Sequence, residues 1–204
     1  MIKARDNPFR SERILSIRYR LLETTWPELL NRLEGLNYRA AVVGLCGSGK
    51  TTLLEDIELK LSERFFNPRL IRLNEDQTPR LNLRLLDAVT TLLTSHDLVL
   101  IDGAERMDWL AWRWIKWRCR AAGGLIITAH KPGRLPTLWE CRTSPLLLAQ
   151  IAADLIEADP TELYPQAEAL FIKHDGNLRE ALLDWYSLAS GSEFSLQRDI
   201  SVNA

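Results

Sequence analysis

Eight consecutive residues carry the plainest chemistry in the chain: Gly44-Leu45-Cys46-Gly47-Ser48-Gly49-Lys50-Thr51, with Thr52 behind them. They satisfy G-x-x-x-x-G-K-[ST], a spacing that suits phosphate. Glycines let successive backbone N–H groups turn inward around phosphate oxygens, and a helix that starts at the end of the loop adds its partial positive charge. Lys50 is expected to reach the β- and γ-phosphates, and the Thr51 hydroxyl to hold Mg²⁺. The second chemical signal is Asp97-Leu98-Val99-Leu100-Ile101-Asp102, an apolar run that ends in a carboxylate. In a parallel sheet covered on both faces, strands are continuous apolar runs and ligands sit at their carboxyl ends. Asp102 is therefore expected on the same sheet edge as the glycine loop, accepting from a Mg²⁺-bound water.

Positioning these groups requires a strand before the loop and a helix after it. Tyr38 to Val43 reads as the strand, and Leu53, Leu54, Ile57, Leu61 and Phe65 recur on one helical face. Arg69 to Leu73 alternates like a second strand, Asn74 to Pro79 is a polar loop, and a helix follows over about 81–93. Leu125 to His130 is a further buried strand ending in polar groups, and Thr137 to Ser144 holds a last short one. Upstream, Ile14, Ile17, Leu21 and Leu22, then Trp26, Leu29, Leu30 and Leu33, follow helical spacing over 11–36, with Gly35 ending the second segment. Downstream of Pro145 the pattern is helical over 147–157, 162–174 and 178–189. The fold class is α/β, a parallel sheet sandwiched by helices with a small helical lid. The expected division is 1–36 as a helical segment flanking the site, 37–144 as the core, 145–190 as the lid and 191–204 as a loose tail.

At 204 residues the chain is long enough for one ordinary core and a small appendage. Its net charge of -1 gives no global pull toward nucleic acid or an anionic membrane, so such a partner must be met by a local patch. No run approaches the ~18 apolar residues of a membrane span, and the N-terminus lacks an apolar signal region, so a cytoplasmic location with no membrane partner is expected. Cys46, Cys119 and Cys141 share no metal spacing and are expected as reduced thiols.

One local patch stands out, from Trp109 to Arg120: Trp-Leu-Ala-Trp-Arg-Trp-Ile-Lys-Trp-Arg-Cys-Arg. On a helix, Ala111, Ile115, Cys119 and Ala122 form an apolar stripe, and Arg113, Lys116 and Arg120 form a basic one facing away from it. Four tryptophans do not all fit the inner stripe. Basic residues interleaved with aromatics suit DNA or RNA, or a protein partner; a solvated basic face over packed tryptophans accounts for them as well.

Together, a phosphate loop, a strand inserted before the Asp-ended strand, a fourth strand with a polar end and a helical C-terminal part resemble the AAA+ ATPases. The likeness is closest to the compact clamp-loader and origin-recognition forms. It implies ATP and Mg²⁺ as ligands, with Gly44 to Thr52 as Walker A and Asp102 as Walker B. Gly176-Asn177-Leu178-Arg179-Glu180 looks like the family's sensor 2, which assigns Arg179 to the γ-phosphate. By strand-end position the resemblance makes His130 sensor 1, with Thr128 second. Arg142, or else Arg134, lies where relatives carry the arginine finger, which implies a homo-oligomer or a partner ATPase subunit. The family's catalytic glutamate would follow Asp102, but that position is Gly103; Glu105, Glu75 or Asp76 are the alternatives. Three functions follow from this: an ATPase acting on a protein or nucleic acid, a switch that binds ATP without hydrolysing it, or a small-molecule or nucleotide kinase. A kinase would carry an arginine-rich lid between strands, which Gly-Asn-x-Arg fits less well. Guanine is disfavoured because residues 128–133 contain no Asn-Lys-x-Asp.

Overall fold

The computed structural model describes Phe9 and residues 17–62, 67–74 and 78–190. Five strands form one sheet: β1 (Arg39–Gly44), β2 (Asn67–Arg72), β3 (Asp97–Asp102), β4 (Gly124–Ala129) and β5 (Thr137–Cys141). Every pairing is parallel, in the order β2-β3-β4-β1-β5. Among the described residues there are seven α-helices: α1 (Trp26–Gly35), α2 (Lys50–Ser62), α3 (Pro79–Val89), α4 (Trp109–Arg118), α5 (Pro145–Ile156), α6 (Pro160–Lys173) and α7 (Leu178–Ser190). None is long and apolar enough to cross a membrane.

The continuous apolar strands are explained by two cores, one on each face of the sheet. Ala40, Val42, Leu98, Leu100, Ile126 and Leu138 point to a face covered by Leu29 and Leu33 of α1 and Leu53, Leu54, Ile57 and Leu61 of α2. Their neighbours Ala41, Val43, Val99, Ile101, Leu125 and Ile127 point the other way, onto Leu86 of α3 and Trp112, Ile115 and Cys119 of α4 and its end. The period-2 alternation thus serves two hydrophobic layers, and β1, β3 and β4 are buried on both faces.

The chain divides into two compact units. One is Arg18–Arg142, which holds the whole sheet. In the other, the described residues are Phe9, Ile17 and 143–190, where Leu148, Ala152, Ala167, Leu182 and Trp185 form a third core. Phe9 stacks on Trp185 there, with ring centroids 5.6 Å apart.

Two element boundaries depart from the sequence reading. Residues 17–25 are not helical, despite the spacing of Ile17, Leu21 and Leu22. The buried carboxylate of Asp56 explains this, because it accepts from the Arg18 guanidinium at 2.7 Å and from the Tyr19 backbone N–H at 2.9 Å. That N–H is needed by a helix for its own ladder, so the anchored segment is irregular instead, with a bend at 22–24. A capping box at Thr25 and Glu28 then starts α1. The helix expected to run to 93 ends at Val89, where the Thr90 hydroxyl takes the Leu86 carbonyl at 2.7 Å. Ile14, Phe65 and the tail beyond 190 lie outside the described residues.

Candidate nucleotide-binding site

The glycine loop leaves β1 at Gly44 and enters α2 at Lys50. Gly47 and Gly49 have φ of 69° and 87°, the left-handed turns that aim successive N–H groups to one side. At Gly44 the constraint is space, since a Cβ would lie 2.7 Å from the Cys141 carbonyl oxygen. Lys50, only 8% exposed, donates from Nζ to the Leu45 carbonyl at 2.7 Å, which holds its ammonium back across the loop. The Ser48 hydroxyl is buried and has no hydrogen-bond partner among the described residues. Leu45 and Cys46 are exposed at the outer turn, and Thr52 is half-buried.

Thr51 Oγ1 donates to Asp102 Oδ2 at 2.8 Å, so the two metal-binding candidates meet although 51 residues separate them in sequence. The other oxygen, Asp102 Oδ1, accepts from the buried Thr128 hydroxyl at 2.7 Å, and that hydroxyl in turn accepts from the Gly103 N–H at 2.8 Å. Thr128 therefore fixes the rotamer of Asp102. A hydroxyl, one carboxylate, a lysine and an inward-turned loop are the donor set that Mg²⁺ with a nucleoside triphosphate takes, because Mg²⁺ keeps several waters and uses one or two protein oxygens. The fit is supported by the partnerless Ser48 hydroxyl and by the close glycine contacts. Thr51 and Asp102 would hold the ion, which when bound would neutralise charge on the phosphates.

His130 does not touch this chain of hydrogen bonds. Its Nε2 lies 3.3 Å from Glu105 Oε1, and Glu105 Oε2 is buried with no partner among the described residues. Glu105 reaches this place through Gly103, which has φ of 84° and opens a short 3₁₀ turn over Ala104–Arg106. A Cβ on Gly103 would lie 2.7 Å from the Leu73 carbonyl oxygen. No glutamate fits at 103 on this backbone; the nearest described carboxylate after Asp102 is Glu105. Glu75 and Asp76 lie outside the described residues.

The remaining candidates are three arginines. Arg142, exposed just after β5, pairs with Glu140 at 3.2 Å. Arg134 donates to the Met107 carbonyl at 2.6 Å and lies over the Trp112 ring, so it is used within its own unit. Arg179 is exposed in the first turn of α7, in the other unit. The helix start expected there is present: Asn177 Oδ1 accepts from the Glu180 N–H at 3.2 Å.

No family model matches the chain, and no curated protein does. Among solved structures it is similar to Cdc6p from Pyrobaculum aerophilum, with a TM-score of 0.58 and 14% identity over 91% of this chain and 65% of that one. The chain thus spans less than two thirds of the length of that solved chain. At such identity the likeness shows the fold alone, an α/β core with a five-stranded parallel sheet.

Sequence reasoning missed Tyr19. Its ring packs on the loop, 3.1 Å from where a Cβ on Gly49 would stand, and its hydroxyl accepts from the Trp139 indole N–H at 3.0 Å. Burial, helped by the neighbouring Cys141, holds the phenol far above its ordinary pKa, so it stays neutral. Burial likewise lifts the thiols of Cys141 and Cys119 to about 11, which leaves both unreactive near neutral pH. Nothing in the spacing of Tyr19 marks it. Thr128 was visible only as one of two polar residues at a strand end.

Proposed function

We propose that the chain is a Mg²⁺-dependent ATPase whose core binds ATP at Gly44 to Thr52 and passes the nucleotide state to a partner. The contact of Thr51 with Asp102 at 2.8 Å carries this reading, because it unites the two halves of the metal site from a helix and a strand far apart in sequence. Lys50 would bind the β- and γ-phosphates. Glu105 would orient the attacking water, a role supported by its unpaired buried oxygen and by His130 holding its other oxygen. From the family resemblance, Arg179 would answer to the γ-phosphate and Arg142 would serve a neighbouring subunit.

A switch that binds ATP without hydrolysing it is the second reading. Gly103 favours it, since the space beside Leu73 excludes a carboxylate directly after Asp102. Binding of a fluorescent ATP analogue and release of phosphate separate the two. Lys50→Ala should weaken binding at least about tenfold, and Asp102→Asn should abolish the Mg²⁺ dependence. Glu105→Gln should retain binding and cut turnover by about 100-fold. Turnover unchanged in Glu105→Gln would remove Glu105 from its role. Tight binding with no phosphate release from the parent protein would establish the switch.

A further inference from the structure

A groove of about 950 Å³ runs along α4 to the amino edge of the sheet, where Arg39 and Leu125 open β1 and β4. That is the edge opposite the glycine loop. Its lining includes Arg39, Arg113, Lys116 and Arg120 with Trp114 and Trp117, leucines between them and no acidic residue. Arg39 is fixed by its hydrogen bonds to the Cys119 and Ala122 carbonyls. Of the two strongly exposed tryptophans on α4, Trp109 carries Arg113 over its ring at 5.5 Å. Trp117, 60% exposed, has no cation over its ring among the described residues.

We infer that this groove binds a single-stranded polynucleotide. Its side chains offer hydrogen-bond donors only, from arginine, lysine and the tryptophan indoles. An acidic peptide would bring backbone N–H groups for which those side chains have no acceptor, whereas phosphates only accept and bases present π faces. Arg113, Lys116 and Arg120 span about 10 Å of helix axis, within reach of consecutive phosphates. The bare ring of Trp117 needs an unstacked base, which a single strand supplies and a duplex does not. The phosphate and stacking contacts argued here are common to RNA and DNA, so the groove takes either strand. The inference is independent of the nucleotide site.

The test is anisotropy of a labelled oligothymidylate of about 15 nucleotides, a length that exceeds one such site, with the full chain at increasing salt. Three phosphate contacts predict a slope of log affinity against log salt of about -2, and Ala at Arg113, Lys116 or Arg120 should each flatten it by about 0.7. Trp117→Ala should weaken binding about tenfold without changing the slope, and Trp117→Phe should restore most of it. Oligouridylate should compete as well as oligothymidylate, a duplex much less, and polyglutamate not at all. Lys50→Ala should leave strand binding intact, so failure of the groove and failure of the nucleotide site are read separately. No binding at low salt would overturn the inference, as would full affinity in Trp117→Ala or displacement by polyglutamate. The altered side chains are exposed, and thermal unfolding of each variant should match the parent.

Discussion

Gly103 shows how a single residue redirects chemistry. Its left-handed φ and the Leu73 carbonyl beside it force the chain into the turn that delivers Glu105 to His130. From sequence the position showed only a missing glutamate; the reason it is missing is steric and lies just past the end of β2. Asp97 opens β3 and carries no role in the sequence reading. Buried, it accepts from the Thr94 N–H and hydroxyl at 2.7 and 2.8 Å, from Arg69 Nε at 2.8 Å and from Asn67 Nδ2 at 3.0 Å. Burial alone would raise its pKa, but these donors more than offset it and hold the group below the ordinary value. A depressed folded pKa contributes stability above the unfolded value of about 3.9 and loses it as pH falls through the folded one. Asp97→Asn should therefore cost about 2 kcal/mol near neutral pH, and the gap from the parent should close below about pH 4. Urea unfolding across that range checks it; a gap that does not change with pH would show that the charge is not what these donors recognise.

At the scale of elements, the apolar stripe of α4 was legible: Ile115, Cys119 and Ala122 are buried as their spacing requires. The fate of its tryptophans was not, because it depends on what faces them. Trp112 joins the core beneath Lys116 and Arg134, which lie 5.6 and 5.3 Å from its ring, while Trp117 stays out. Residues 17–25 show the reverse case, a helical pattern overridden by one buried carboxylate. The start of α7 could be read locally, since a cap needs only its own neighbours. Asn177→Ala should lower the stability of the helical unit by about 1 kcal/mol and Asn177→Asp should keep it, by thermal unfolding. Equal melting of the alanine variant and the parent would mean that the bond from Glu180 contributes nothing.

For the whole molecule, the two units make linkage a direct readout of the proposed site. A ligand that binds only the folded core stabilises it by about 2.7 kcal/mol at 100 times its dissociation constant. Mg²⁺ and ATP together should thus raise the unfolding temperature, and Lys50→Ala should abolish the rise. A rise that survives Lys50→Ala would place the nucleotide elsewhere. The sequence by itself determined the phosphate loop, the apolar strands and the order of elements, because each is written in contiguous residues whose backbone and period are local properties. Only the tertiary structure decided that Thr128 rather than His130 holds Asp102, that Glu105 faces His130, that Tyr19 covers Gly49, and that a groove of donors lies along α4. Each of these depends on residues from different strands and helices meeting in space, and that meeting is set by the order and register of the sheet.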